Sequence, residues 1–486
     1  MALVVFLPIV AGIAAAVIPF KKRSGLMIFL ELAVLLNSAL VFLLLTEHTT
    51  SAFTLVQFTG DITLSLSIDG MSTVFGGLVA FLWPLATLYS FEYMKHEENE
   101  RIFFMFYTMT YGVTLGIAMA QNLVTMYFFY ELLTLVTVPL VMHTLTREAI
   151  LASRKYLYYS LGGAAFAFIG MVFMIVYETD VNFVFGGALD LVKIGDRTNI
   201  LLLVYVLSFF GFGVKAAICP FNSWLPQAGV APTPVTALLH AVAVVKAGAF
   251  AIIRLTYYCY GPDFLRGTWA QNVVLVAVIF TIVYGCSRAI KETHLKRRLA
   301  YSTISNLSYV LFGAALMTPL GLVGALSHLM FHAFMKICSF FCAGAIIYKT
   351  GRTYVHQLDG FGRKMPWVFG IFTVSAFALM GVPGLAGFIS KWNLASAAVD
   401  TGDTLAYVGV AALLISALLT AIYMLTIVVR AFFPGEKISE EALLDVHDPN
   451  WYMIFPLLCF VVVMIYFGLY SGPFVEYLTA ISQGRY

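Results

Sequence analysis

Apolar residues run along this chain in blocks of about 20, separated by short polar segments, and a block of that length crosses a bilayer as a helix. Fourteen spans are predicted, near residues 2–20, 25–46, 71–94, 102–121, 123–143, 157–177, 200–226, 234–259, 271–290, 300–318, 321–348, 367–390, 404–433 and 452–480. Between the second and third, "ITLSLSID" alternates apolar and polar residues, which predicts a short β-hairpin within residues 47–70. Residues 180–198 form a second loop on the same face, and 434–450 reads as a connector or docking surface.

Two spans are punctuated. The seventh carries Pro220 and Pro226 in "KAAICPFNSWLPQ", and the twelfth carries Gly381 and Pro383 in "ALMGVPGLAGFISKW". Proline removes a backbone donor and clashes with the preceding turn. Backbone freed this way is tolerated at membrane depth only against protein or a wet cavity. Interrupted spans at matching positions of two halves point to a transport path. The spacing suggests N-terminal helices 1–3 with the outer hairpin over 1–100, a first repeat (helices 4–8) over 101–260, a second (helices 9–13) over 261–433, and a connector with helix 14 over 434–486.

Composition agrees with an all-α polytopic membrane protein. Of 486 residues, 61% are hydrophobic and 11% charged, against about a quarter charged in soluble domains. The net charge of +3 is spread over many short loops, so no nucleic-acid partner is implied. Alternating the loops across the membrane gathers most basic residues on one face, including Lys21, Lys22, Arg23, Lys296, Arg297 and Arg298. The positive-inside rule makes that face cytoplasmic and puts both termini outside. No cleavable signal peptide is evident. Six cysteines fall in or beside apolar segments, without a CxxC pair, and read as core residues.

Five charged residues do not obviously reach an interface: Glu131, Lys215, Lys246 and Lys336 within predicted spans, and Lys391 at the end of the twelfth. Each costs about 2.5–3.5 kcal/mol at a helix centre, so they must pair or meet internal water. A structural ion pair explains any one of them. One clear carboxylate cannot neutralise four lysines statically, so some lysines must be neutral part of the time, as proton transfer requires. A carboxylate about 4 Å from a lysine is worth about 4 kcal/mol at an effective dielectric near 20. Moving Glu131 relative to Lys215 would therefore switch the lysine between holding and releasing its proton, with no metal or organic cofactor. His328, His332 and Lys336 recur every four residues in "SHLMFHAFMK" and share a helix stripe. That stripe reads as a metal-ligand pair, as hydrogen-bonded core histidines, or as the lining of a water wire; the lysine in register favours the last. His240 lies six residues before Lys246, a weaker pairing because the two do not share a face. Arg254, near the outer end of its span, is expected to snorkel. Glu31, Asp69 and Glu92 lie near predicted ends or stand alone, and read equally as anchors.

"YFFYELLTL", "GFGVKAAICPFNSWLPQAGVAPTPVTALLHAVAVVKAG", "KRRLAYSTISNLSYV", "SHLMFHAFMKICSFFCAGAI" and "GVPGLAGFISKW" resemble the antiporter-like, proton-conducting subunits. These are shared by respiratory complex I, Mrp-type Na+/H+ antiporters, and membrane-bound hydrogenases or formate hydrogenlyases. The resemblance covers roughly residues 65–430. It implies 14 core helices in two inverted five-helix repeats, broken helices 7 and 12, and a polar axis along the membrane mid-plane. By motif, Glu131 matches the family's helix 5 glutamate and Lys215 its helix 7 lysine. Lys246 matches the helix 8 lysine that bridges to the second half, and His240 a polar position at the start of that helix. His328, His332 and Lys336 match the helix 11 cluster, and Lys391 the terminal helix 12 lysine. The chain is expected to lack the long lateral helix of complex I's largest member and has lysine where one member has glutamate. It is thus closer to the mid-sized subunits.

The expected function is a proton-translocating subunit of a larger assembly in a prokaryotic cell membrane, itself without covalent catalysis. Partners would be other membrane subunits and, where redox-driven, peripheral redox subunits; the ions would be H+ and, in an antiporter, Na+. A Na+/H+ antiporter module without redox coupling is the alternative, and a structural anchor for a redox enzyme is one of another class. A quinone- or haem-binding role is weak, since no trusted ligand set is present.

Overall fold

A computed structural model describes residues 1–46, 52–60, 62–434 and 446–485. Helices dominate it: α1 (Ala2–Val17), α2 (Arg23–Thr46), α3 (Gly70–Tyr93), α4 (Glu100–Ala118), α5 (Leu123–Val141), α6 (Arg147–Tyr177) and α7 (Thr198–Lys215). They continue with α8 (Thr233–Tyr260), α9 (Trp269–Lys291), α10 (Leu295–Ala315), α11 (Pro319–Thr350), α12 (Pro366–Met380), α13 (Ala386–Asp400), α14 (Thr404–Phe432), α15 (Trp451–Leu469) and α16 (Gly472–Ser482). Among the described residues, ten helices are long and apolar enough to cross a membrane, with α1 and α12 shorter apolar ones. The chain is an all-α, multi-pass membrane protein.

The hairpin forms from β1 (Phe53–Thr59) and β2 (Ile62–Leu66), paired antiparallel with Phe53 opposite Leu66. Residues 47–51 and 61 of the predicted hairpin, and 435–445 of the predicted connector, lie outside the described residues. β1 and β2 mark one face of the molecule, the hairpin face. The last predicted span divides at Tyr470 and Ser471 into α15 and α16. Helix α6 starts ten residues before its predicted span because Thr146 caps it, its side chain accepting from the Ala149 amide.

Burial is graded. Helix α8 is buried along its whole length and α11 along most of it, whereas α2 and α15 present most of their surface outward. The two enclosed helices carry His240, Lys246, His328, His332 and Lys336, so these polar groups sit against protein rather than lipid. Small residues permit the tightest crossings. A Cβ on Gly112 of α4 would lie 2.1 Å from the Val5 carbonyl oxygen of α1.

On the hairpin face, residues 183–188 lie along the end of α8. The amides of Val184, Gly186 and Ala188 donate to the carbonyls of Tyr258, Tyr257 and Cys259. Glu178 stands at the root of this loop. Burial pushes its carboxyl up to about 7, with Asp180 adding to the effect and Lys193 opposing it. A folded-state value above the ordinary one means that the native loop holds the proton more tightly than the unfolded chain, so its stability is full below the ordinary value and falls as pH rises through about 7. Amide hydrogen exchange of Gly186 and Ala188, corrected for intrinsic rate, should therefore speed up from about pH 6 to about pH 8. Glu178→Gln should stay protected throughout; an unchanged pH profile in that variant would reject the assignment.

Candidate functional site: a buried carboxylate–lysine–histidine line

Helix α7 ends at Lys215, where Ala217 adopts a left-handed backbone with φ of 57° and a cis peptide joins Cys219 to Pro220. The indole of Trp224 donates to the Val214 carbonyl at 2.9 Å, taking up one acceptor that the break frees. Pro226 lies within the short turn Trp224–Gln227 that follows. The Lys215 ammonium thus ends up buried at the break, 3.8 Å from Glu131 on α5. It also donates to the Tyr130 carbonyl and lies 3.3 Å from the centre of the Tyr130 ring. Glu131 retains about a quarter of its exposure.

Helix α8 crosses this break in backbone contact. A Cβ on Gly248 would lie 2.6 Å from the Ala216 nitrogen. Two residues earlier, the Lys246 Nζ is 2.9 Å from His332 Nδ1 on α11. The ring centres of His332 and His328 are 5.8 Å apart, and His328 Nδ1 lies 2.8 Å from the Ser390 hydroxyl on α13. Tyr309 bridges the same gap: its ring centre is 5.0 Å from His328 and 5.3 Å from the Lys391 ammonium.

The twelfth span breaks between α12 and α13, as its glycines and proline predict. Gly381, with φ of 91°, caps α12, and Pro383 lies in the break. Lys391 reaches back from α13 to donate to the carbonyls of Leu379 at 2.5 Å and Met380 at 3.1 Å. A cation at the last carbonyls of a helix is favourable because the backbone dipoles point negative there.

Two predicted residues stand off this line. Lys336 turns to α10, donating to the Ser302 hydroxyl at 2.6 Å and the Leu299 carbonyl at 3.3 Å, and Ser302 pairs with Tyr423 at 2.6 Å. It makes a side branch rather than a link between the histidines and Lys391. His240 sits in a π-helical turn, Leu238–Val242, packed against the Phe340 ring at 4.8 Å. Among the described residues, neither of its ring nitrogens has a hydrogen-bond partner.

Arg254 does not snorkel. It is buried on α8 and forms a bidentate pair with Asp69, whose carboxylate also accepts from the Ser72 amide at the start of α3. Lys296 and Arg298, assigned to a loop from their charge, are buried at the start of α10, where Lys296 donates to the Ala231 carbonyl. Cys286 lies among hydroxyls, 2.9 Å from Ser305 and 2.8 Å from Ser416, not in an apolar patch.

Sequence reading missed Tyr130, Ser302, Tyr309 and Ser390. Single hydroxyls on a span carry little signal. The run "YSTISNLSY" in α10, unusually rich in them for a span, was the available hint for two of the four.

Residues 120–420 match the family model described as NADH:quinone oxidoreductase/Mrp antiporter, transmembrane, and 56–104 match that of the N-terminus of complex I chain 5. NADH-quinone oxidoreductase subunit N of Desulforudis audaxviator is 30% identical over 375 residues, which is 76% of this chain and 73% of that one. The Nostoc NAD(P)H-quinone oxidoreductase chain 4-3 is 30% identical over 77% of this chain and 66% of its own. Among solved structures, a chain of the archaeal membrane-bound sulfane sulfur reductase superposes with a TM-score of 0.85 at 22% identity, covering 100% of this chain and 97% of that one. A chain of the Mrp complex from Dietzia gives 0.84 at 21% identity, with coverage of 100% and 97%. These structural likenesses establish a shared fold.

Proposed function

This chain belongs to the NADH:quinone oxidoreductase/Mrp antiporter transmembrane family, and on that premise we propose that it is a proton-translocating membrane subunit of a multi-subunit assembly in a prokaryotic cell membrane. Residues 101–260 and 261–433 would be its two inverted repeats, and both termini would face outward. The proton path runs from Glu131 and Lys215 through Lys246, His332 and His328 to Lys391, with Ser390 and Tyr309 bridging the last gap. Lys336 and His240 load or tune the line from the side.

One observation carries this reading: Lys246 of α8 and His332 of α11 lie 2.9 Å apart in a fully enclosed interior. Neutral imidazole accepts and donates at its two nitrogens, so it relays a proton that a lysine releases. Glu131 sets the charge on Lys215, and the protein supplies proton-holding groups rather than a redox centre. Partner subunits would supply the driving reaction, as the relatives' occurrence in respiratory and Mrp complexes suggests.

The test is Lys391→Ala in membrane vesicles containing the whole assembly. Driven proton uptake should fall to about a tenth or less, since the line loses its terminal proton-holding group, while the assembly stays intact by native gel. Full uptake would sink the reading. Repeating the assay with and without Na+ separates the antiporter alternative, in which transport would require sodium.

A further inference from the structure

Eight residues beyond Lys246 on α8, about 12 Å along the axis at 1.5 Å per residue, stands Arg254, with Phe250 midway on the same stripe. Phe250 is buried and stacks on Phe75 of α3 with ring centres 4.9 Å apart. The Arg254 guanidinium is 1% exposed and lies against three aromatic rings: Tyr258 at 4.6 Å, Phe183 at 4.9 Å and Phe250 at 5.2 Å. Its partner Asp69 is a quarter exposed, so the carboxylate forms the wet edge and the cation faces inward. Among the described residues, neither Arg254 Nε nor the Tyr258 hydroxyl has a hydrogen-bond partner. The loop carrying Phe183 is laid over it and held by the carbonyls at the end of α8.

We propose that Arg254, clamped by Asp69 and walled by Phe183, Phe250 and Tyr258, is a proton-excluding seal between Lys246 and the aqueous phase at the hairpin face. Guanidinium stays charged at any working pH, so it cannot relay a proton and repels one arriving from Lys246. Pores that exclude protons use a fixed cation in a constriction in this way. Phe250 adds a dry spacer on the inner side. Asp69 both neutralises the burial cost of the cation and fixes its direction. The sealed end keeps protons on the mid-plane line instead of letting them escape along α8.

The inference rests on Lys246 carrying protons. It is tested on the assembly with its native partners, reconstituted in phosphatidylcholine/phosphatidylglycerol vesicles that hold pyranine, with a potassium diffusion potential and no driving substrate. Arg254→Met should raise passive proton entry about tenfold, Phe183→Ala should raise it severalfold, and Arg254→Lys should also leak, because a buried ammonium, unlike guanidinium, can release its proton. Adding Lys246→Ala to Arg254→Met should return the leak to the native rate. A purely structural pair would lower assembly without this Lys246-dependent leak. Tight Arg254→Met vesicles, or a leak that survives Lys246→Ala, would overturn the proposal. If Arg254→Met fails to assemble, Phe183→Ala decides: tight vesicles reject the seal, and a leak that Lys246→Ala removes supports it. Failure of the transport line itself shows separately, as full driven transport in the Lys246→Ala single variant.

Discussion

Glu131→Gln removes driven proton transport to below about a tenth of the native rate while the subunit still inserts and assembles. The substitution keeps the shape of the side chain and deletes the charge. At the observed 3.8 Å, the pair with Lys215 is worth about 4 kcal/mol at an effective dielectric near 20, before some loss to screening at the partly exposed carboxylate. Without that attraction Lys215 holds its proton less tightly and no longer responds to the carboxylate. The neutral amide can still hydrogen-bond, so insertion is not penalised; removing a charge from a span lowers the cost of placing it there. Dye quenching in inverted vesicles, normalised to subunit abundance, measures the effect. Transport above half of native would mean that Glu131 is an ordinary helix-packing residue. Glu131→Asp, one methylene shorter, should fall between the two.

Gly387→Val gives the largest combined loss, in stability and transport together. A Cβ on Gly387 would lie 1.8 Å from the Ala378 carbonyl oxygen and 3.0 Å from Met335 Sδ. The first neighbour is backbone and cannot turn away, so α13 must shift from α12. Overpacking of this kind costs about 1–3 kcal/mol, and more where backbone has to move. Lys391 follows four residues later on the same stripe. The shift pulls its ammonium from the carbonyls of Leu379 and Met380, where it sits at 2.5 and 3.1 Å. Transport should drop about tenfold or more and the melting temperature of the purified assembly should fall. Lys391→Ala is the control, since it should lose transport with little change in melting. Native behaviour of Gly387→Val would show that α13 can shift at the break without loss of stability or transport.

The two breaks were legible in the sequence because proline and glycine act through backbone chemistry that needs no neighbour. The prolines of "CPFNSWLP" follow a few residues after the end of α7 and keep the helix from resuming through them, and Gly381 takes a positive φ that other residues resist. The buried charges were legible for a similar reason: a lysine in a run of apolar residues is costly wherever it packs. The link between them was not. Lys246 and His332 are 86 residues apart, and nothing local places one against the other.

Arg254 shows the same limit from the other side. Its position near the end of an apolar span predicts a side chain reaching for water, because a lone arginine gains most by doing so. Asp69, 185 residues away at the start of α3, changes that balance by offering a bidentate partner within the protein. Lys336 likewise shares a stripe with His328 and His332, as its spacing requires, yet its ammonium turns to Ser302 because a long flexible side chain follows the nearest acceptor.

By itself the sequence determined that this chain crosses a membrane many times, where its helices break, and which side chains are too costly to be there for packing alone. Those properties depend on each residue and its neighbours along the chain. Only the tertiary structure decided which costly groups meet, which stand aside and which are sealed from water. Pairing energies fall steeply with distance, and distances between helices are set by how whole faces pack.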